Sequence, residues 1–157
     1  MLKTSAKSAF FDYSLLNTIP KGANMHAEVL VENTTNLYTQ KITVGNHTIY
    51  SDEPEELKGN DKGAAPFELL LSALGSCTSI TLTMYANMKG IKLDIISVRL
   101  NYIPPNKIDN SPSRITRKIH LEGDFTDEQH HRMLEIADRC PVHNTLRQGV
   151  EISSSLE

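Results

Sequence analysis

The sequence predicts a single α+β domain, because stretches with strand periodicity and stretches with helix periodicity follow one another without the alternation typical of parallel sheets. The chain has 157 residues, of which 39% are hydrophobic and 22% charged. This composition is typical of a soluble globular protein and excludes collagen-like and disordered chains. A chain of this length buries about 68–70% of its unfolded surface, which is enough for one hydrophobic core.

The predicted order of elements is three strands, a long helix, two strands, a broken helix and a final strand. Residues 1–23 are expected to form an N-terminal arm, since Pro20 and Gly22 interrupt the pattern there, and residues 24–157 form the domain. Period-two patterns with turn residues between them predict antiparallel strands, at 26–31, 37–44, 47–50, 91–103, 114–121 and 150–153.

The helix boundaries follow from Pro and capping residues. Pro66 suits the first turn of the long helix, which should end near Lys89 or Gly90. Thr126, with Gln129 three residues later, forms a capping-box pattern at the start of the second helix. Because a proline disfavours helical geometry at the residue before it, the second helix should end at Cys140, and a short new helix should begin at the following proline.

The long helix predicts a homodimer. It carries apolar residues on most of its faces, and a single sheet covers only one side of such a helix, so a second copy is the simplest cover for the other side. The uncharged stretch 69–88 has the length of a membrane span, but seven of its residues are Ser, Thr or Asn. A buried helix is therefore the better interpretation, and we expect no contact with a membrane.

Charge and targeting signals limit the partners and the location. Sixteen basic and nineteen acidic residues give a net charge of −3, with no basic block suited to a phosphate backbone, so we expect no nucleic acid partner. The first residues contain no apolar run of signal-peptide type, and two Cys are too few for a disulfide scaffold. We therefore expect a cytoplasmic protein.

The two cysteines, Cys77 in the long helix and Cys140 at the helix break, are core residues, metal ligands or reactive thiols. Free backbone N–H groups at the start of a helix favour the thiolate form at Cys140. A zinc site would need His143, spaced C-x-x-H from Cys140, with Cys77 and a residue of the pair His130 and His131. A second closely spaced ligand pair is missing, so we predict no metal, and His143 is expected to be a hydrogen-bonding partner near Cys140.

Two runs are similar to a known family. The run APFELLLSALGSCT at 65–78 and the run DRCPVH at 138–143 resemble the OsmC/Ohr superfamily, the osmotically inducible protein C and organic hydroperoxide resistance proteins. The likeness spans roughly residues 25–153 and implies an intertwined homodimer around central helices. It also implies a thiol peroxidase without a bound cofactor, in which Cys77 attacks an organic hydroperoxide and its sulfenic acid condenses with Cys140. A dithiol of the lipoyl type would then return the electrons.

The chain departs from the family pattern at the groups that activate the thiolate. Peroxidase members use an Arg from the N-terminal strands, whereas every Arg of this chain lies at Arg99 or later. They also place a Glu directly after the helix-start proline, where Phe67 stands here and Glu68 follows one residue later. One residue turns a helical side chain by about 100°, so the direction of Glu68 differs from that of the family's carboxylate.

Arg117 is the candidate replacement for the missing cation. Strand alternation places it on the same face as Ile115, Ile119 and Leu121. A buried Arg needs an anion, which here would be a thiolate or Glu68, whereas an Arg at an exposed strand edge would only extend to solvent. The predicted catalytic residues are therefore Cys77, Cys140, Glu68 and Arg117.

The function expected from these observations is reduction of organic, lipid-derived hydroperoxides in oxidative stress defence. An apolar lining from the long helix would favour alkyl hydroperoxides over hydrogen peroxide. The alternative is an OsmC-like protein without efficient peroxidase activity, which binds a small apolar ligand or senses thiol redox state. The substituted Phe67 and the absence of an N-terminal Arg favour that alternative.

Overall fold

The order of elements follows the predicted order as far as the last helix. The structure, a computed structural model, describes residues 28–156, so the predicted N-terminal arm lies outside the described residues. The strands and helices, with a single 3-10 turn between β3 and α1, are β1 (Val29–Asn33), β2 (Gln40–Val44), β3 (His47–Ser51), α1 (Pro66–Lys89), β4 (Lys92–Ile103), β5 (Arg114–Asp124), α2 (Asp127–Ala137) and α3 (Pro141–Gln148). The α+β class predicted from the sequence is confirmed.

The strands form two antiparallel sheets. The first, called here the N-terminal sheet, has the order β1-β2-β3, and the second is the long hairpin β4-β5. Within the described residues these sheets are separate. A loop of fourteen residues and the long helix α1 lie between β3 and β4 in the chain.

The predicted strand at 150–153 is wrong for this chain. Residues 149–156 have no regular structure, and Val150 and Ile152 are 64% and 82% exposed. Gly149 ends α3 with a positive φ of 76°, and no described strand pairs with the residues after it. A strand needs a backbone partner, so apolar alternation alone does not produce one.

Helix α1 begins and ends where its sequence signals predict. Pro66 is its first residue, and the Glu68 carboxylate accepts a hydrogen bond from the Ala65 N–H at 2.9 Å. Gly90 ends the helix with φ of 65°, a conformation that glycine adopts without a Cβ clash. α1 packs against β4, α2 and α3, and these four elements with β5 form what we call the core region.

The hydrophobic core lies between the second half of α1 and α2. Leu82 of α1 and Ile136 of α2 are completely buried, and Met133 is almost so. Side chains from the hairpin β4-β5, among them Ile96 and Ile119, close the cluster from the side. The core region therefore has an interior of its own.

α1 is the one helix of the described residues whose length and apolar composition would allow it to cross a membrane. The core helix of a soluble protein meets the same criterion, so a single such helix is weak evidence for a span. α1 contacts β4, α2 and α3, but only 33% of its apolar window is buried within one chain, so the buried helix predicted from its polar residues is found in part.

The N-terminal sheet, in contrast, is open on both faces. Consecutive residues of a strand point to opposite faces, and in β1 the neighbours Leu30 and Val31 are 51% and 54% exposed. In β3, Ile49 and Tyr50 are exposed in the same way. This sheet has no core of its own within the described residues.

The loop after the N-terminal sheet is organised by Asp52, a buried carboxylate. Its oxygens accept hydrogen bonds from the Thr39 hydroxyl at 2.7 Å and from the N–H groups of Glu53, Asn60 and Lys62 at 2.9, 3.2 and 3.4 Å. Four donors satisfy the carboxylate without a cation. Asp52 thereby fixes the path of the chain from β3 towards α1.

Candidate active site

The two cysteines of the chain form a disulfide bond between α1 and the start of α3. Cys77 and Cys140 are 63 residues apart in sequence, and their Cα atoms lie 6.0 Å apart. Cys140 is completely buried, whereas Cys77 is only partly so. The pairing that the family resemblance implied is present in the structure.

The helix break before α3 places Cys140 against α1. α2 ends at Ala137, the chain turns, and Cys140 becomes the residue that precedes the first turn of α3, with its carbonyl accepting from the Asn144 N–H at 3.1 Å. The break predicted from Pro141 is thus confirmed. Because α3 packs on α1, the turn brings Cys140 to the middle of the long helix.

Arg117 links the segments that carry the two cysteines. It lies on the inner face of β5, and its side chain is only 11% exposed. One guanidinium nitrogen, Nη1, donates to the Thr78 hydroxyl at 2.9 Å and to the Ala137 carbonyl at 3.2 Å. Thr78 directly follows Cys77, and Ala137 lies three residues before Cys140, so the guanidinium contacts both segments that carry a cysteine.

The anion that pairs with Arg117 is Asp138. Nη2 of Arg117 lies 2.6 Å from Oδ1 of Asp138, and His143 Nδ1 lies 3.9 Å from the same oxygen. Of the partners expected from the sequence, Glu68 is corrected, because its carboxylate bonds to the Ala65 N–H and the carboxylate at the end of α2 is the one within reach of Arg117. The cysteines are joined in a disulfide, so the thiolate partner stays a prediction. The low exposure of Arg117 also excludes a side chain that extends into solvent.

Thr78 has a fixed orientation next to Cys77. Its hydroxyl donates to the Leu74 carbonyl at 2.7 Å, so the oxygen presents a lone pair to Arg117. The residue is completely buried, and both of its polar partners are protein groups. The position of the Arg117 guanidinium is consequently determined from three sides, by α1, by the end of α2 and by its own strand.

The structure does not bring Glu68 to this cluster. Glu68 lies nine residues before Cys77, about 14 Å along the helix axis. Its carboxylate bonds to the Ala65 N–H and lines a shallow groove on another side of α1 from the one that Arg117 lines. The contact that the structure assigns to Glu68 is a helix cap.

Residues 28–156 contain no group of three or more His, Cys, Asp and Glu side chains arranged to hold a metal ion. Of the histidines considered as ligands, His130 stacks on Phe125 with ring centroids 5.5 Å apart. The cysteines are joined to each other, and a metal binds thiolates rather than a disulfide.

An apolar cleft of about 740 Å³ leads to Arg117 and Asp138. Most of its wall consists of apolar side chains from α1, the β4-β5 hairpin and α2, including Phe67, Leu70, Leu74, Tyr102, Ile115 and Leu134. Phe67 packs on Tyr102 with ring centroids 4.7 Å apart. The aromatic residue that stands at the family's glutamate position is thus part of the cleft wall.

Comparison with known proteins identifies the family. A family model described as OsmC-like protein matches residues 59–155. The chain belongs to the OsmC-like family. No curated protein matches this chain.

Solved structures of OsmC-like and organic hydroperoxide resistance proteins have the same fold. The OsmC-like protein of Mycoplasma pneumoniae has a TM-score of 0.66 and 19% identity, over 79% of this chain and 89% of that chain. An organic hydroperoxide resistance protein OsmC from Legionella pneumophila has a TM-score of 0.60 and 18% identity, over 80% and 91% of the two chains. The protein OhrB of Bacillus subtilis has a TM-score of 0.53 and 18% identity, over 77% and 90%.

Sequence analysis of this OsmC-like protein missed two of the residues at the site. Asp138 lies inside the run DRCPVH, which was used for recognition but given no role, and Thr78 is the residue after Cys77. The signal that would have found Asp138 is the predicted burial of Arg117, because a buried guanidinium needs an anion and Asp138 is the acidic residue next to the second cysteine. Nothing in the sequence alone marks Thr78.

Proposed function

We propose that the chain is a thiol peroxidase that reduces organic hydroperoxides, with Cys77 as the attacking and Cys140 as the resolving cysteine. The observation that carries the proposal is the disulfide between two cysteines from distant elements, with a buried guanidinium that bonds to Thr78, the residue after Cys77. Family membership supports it, since some structural neighbours are named organic hydroperoxide resistance proteins. Defence against oxidative stress is the corresponding cellular role.

The proposed reaction balances with the two thiols alone. The Cys77 thiolate attacks the outer oxygen of the hydroperoxide, the O–O bond breaks, and the alkoxide takes up a proton and leaves as an alcohol. Cys77 is then a sulfenic acid. The Cys140 sulfur attacks it, the S–S bond forms, and water leaves, so the two thiols have supplied the two electrons.

Arg117 is the proposed stabiliser of the Cys77 thiolate. A positive charge close to a thiolate favours the ionised form and attracts the developing negative charge of the leaving oxygen. Its hydrogen bonds to Thr78 and to Ala137 support this role, because these residues belong to the two segments that carry Cys77 and Cys140. This role does not require the N-terminal Arg of typical family members.

The disulfide must be reduced before the next turnover. A dithiol of the lipoyl type is the proposed reductant. Its first thiol forms a mixed disulfide with the protein and its second thiol resolves it, so that one dithiol returns both electrons. The sulfurs carry all the electrons, so the proposed reaction needs no bound cofactor. The cytoplasmic location expected from the sequence belongs to the same proposal.

A homodimer is the proposed functional form. The N-terminal sheet exposes apolar side chains on both faces, and a stripe of α1, Ile80, Met84 and Met88, is exposed as well. Exposed apolar surface of this extent marks an interaction site, and a second copy offers the matching surface. We expect sedimentation equilibrium to give twice the mass of the chain.

The peroxidase proposal is tested by mixing the reduced protein with cumene hydroperoxide or hydrogen peroxide. We expect faster turnover with cumene hydroperoxide, because the apolar cleft accommodates its hydrocarbon part. The variant Cys77→Ser should lose all turnover, whereas Cys140→Ser should complete one reduction and accumulate a sulfenic acid that dimedone traps. Equal rates with both peroxides would remove the substrate preference, and a Cys77 that reacts only as fast as a free thiol would remove the enzyme.

The second candidate is an OsmC-like binder of apolar ligands or a thiol redox sensor. Two positions favour it. Glu68 caps α1 and so is not available to activate a thiolate, and Phe67 adds apolar surface to the cleft. The pH profile of Cys77 alkylation separates the candidates. A thiol without activation reacts with a midpoint near the free value of about 8.5, whereas the peroxidase requires a midpoint well below it.

A further inference from the structure

The cleft that leads to Arg117 carries an excess of positive charge. Three arginines and one aspartate line it, a net charge of +2 with His143 neutral. The whole chain, in contrast, has a net charge of −3, so the cations are collected locally against the overall balance. An apolar wall beside a cationic region fits a ligand with an apolar tail and an anionic group.

Two of these arginines have no anion within the part of the chain that the structure describes. Arg117 is paired with Asp138, but Arg114 and Arg147 form no ion pair among residues 28–156. Both are exposed, which places them at the solvent side of the cleft, whereas Arg117 lies at its buried side. The cleft therefore combines one buried, paired cation with two exposed ones that are unpaired within the described residues.

The two exposed arginines come from different elements. Arg114 is the first residue of β5, and Arg147 lies in the last turn of α3. Both line the cleft whose apolar wall includes Phe67, Leu70 and Leu74 of α1. A guanidinium presents paired N–H donors that match the oxygens of a carboxylate or phosphate.

We propose that Arg114 and Arg147 bind the anionic head group of an amphipathic hydroperoxide and so determine the substrate specificity of the cleft. The head group is a carboxylate or a phosphate on a long alkyl tail, and the tail lies along the apolar wall towards Arg117. The inference rests on the peroxidase function proposed above, where the peroxide group meets Cys77 beside that guanidinium. The cleft volume of about 740 Å³ lies within the usual range for sites that enclose such a ligand.

Binding of unreactive ligands tests the head-group site without any turnover. The probes are dodecanoate, dodecyl phosphate and dodecanol, measured by calorimetry on the disulfide form of the full chain. We expect at least one of the two anions to bind about tenfold more tightly than dodecanol at low salt, and the double variant Arg114→Gln/Arg147→Gln to lose that advantage. Whichever anion gains more identifies the head group.

Arg99→Gln is the matched control. Arg99 is an exposed arginine of β4 that lines a separate small depression. Its replacement removes one positive charge, as each of the two cleft substitutions does, but leaves the cleft unchanged. Equal affinity of wild type for all three probes would overturn the proposal. So would an equal loss in the Arg99→Gln protein, because the effect would then come from overall charge.

Kinetics separate this inference from the peroxidase proposal. The substrates are linoleic acid hydroperoxide and its methyl ester, which differ only in the anionic group. We expect the double variant to raise KM for the acid about tenfold, with kcat and the reaction of the ester unchanged. Turnover of both substrates without discrimination would overturn the head-group site alone. Turnover of neither would overturn the peroxidase, and the binding measurements would still decide the site.

Discussion

The core region and the N-terminal sheet differ in how much of their apolar surface one chain buries. The core region has buried side chains from α1, α2 and the hairpin β4-β5, and its buried cation is paired. The N-terminal sheet has regular antiparallel registers but exposes more than half of Leu30 and Val31 on its two faces. Backbone pairing alone therefore builds a sheet, whereas burial of its side chains needs another surface.

The comparison indicates where the chemistry and the assembly are located. The two cysteines, Arg117 and the cleft all lie in the core region, so the proposal places the reacting groups within one chain. The exposed apolar faces of the N-terminal sheet belong to the proposed dimer contact. If this division is right, substitutions in one region change activity and substitutions in the other change the oligomeric state.

The largest effect within the core region, apart from loss of a cysteine, is expected from Arg117. Arg117→Ala should slow reduction of cumene hydroperoxide about 10- to 100-fold, because a nearby cation increases the thiolate fraction by such factors. It should also cost about 1–3 kcal/mol of unfolding free energy, since Thr78 and the Ala137 carbonyl lose a charged donor. Stopped-flow kinetics and urea unfolding measure the two effects.

Two variants decide the meaning of that result. Arg117→Lys keeps the charge but loses the forked geometry, so it should recover part of the rate. Lys118→Ala removes the neighbouring cation on the exposed face of β5 and should change neither quantity. A rate unchanged in Arg117→Ala would show that the activating group lies elsewhere.

The next effect concerns the N-terminal sheet. Val31→Lys should weaken the dimer roughly a hundredfold, because it loses a buried Val side chain and places a charge in the contact. Sedimentation measures the change. The control is Ile108→Lys, since Ile108 is 95% exposed at the tip of the β4-β5 loop and lies outside the sheet. If both variants associate like the wild type, the sheet is not part of the contact.

The two regions also differ in how far the sequence predicted them. α1 was placed almost to the residue, because Pro66 and Gly90 are strong helix boundary signals. The core site was predicted in part, since alternation placed Arg117 on an apolar face but left open whether that face is buried or exposed. Its pairing with Asp138 depends on where the turn after α2 falls. The prediction of a strand at 150–153 is wrong because an alternating pattern does not show whether a neighbouring strand is available for backbone pairing.

A smaller, pH-dependent effect is expected at Asp52, in the loop between the N-terminal sheet and α1. Burial raises the pKa of Asp52, but hydrogen bonds from Thr39 and from the N–H groups of Glu53, Lys62 and Asn60 outweigh it and hold the pKa below the usual 3.8. The ionised form is therefore the one that folding favours. Its contribution is present above the unfolded pKa and is lost as the pH falls through the lower folded pKa.

Asp52→Asn makes this contribution measurable. We expect the variant to melt at a lower temperature than wild type at pH 7, with the difference shrinking as the pH falls below 3.8. Thermal unfolding followed by circular dichroism between pH 7 and pH 2 gives the curve. A difference that stays constant over this range would mean that Asp52 acts by shape alone.

The smallest effect is expected at Glu68, and it separates a cap from a catalytic group. Glu68→Gln should lower the unfolding free energy by about 0.5–1 kcal/mol, since the amide oxygen is a weaker acceptor for the Ala65 N–H and loses the charge at the helix start. The rate of peroxide reduction should be unchanged, because the carboxylate lies about 14 Å along α1 from Cys77. A rate reduced more than about tenfold in a fully folded protein would assign Glu68 the catalytic role that the sequence predicted, and would mean that the core region of one chain does not hold every reacting group.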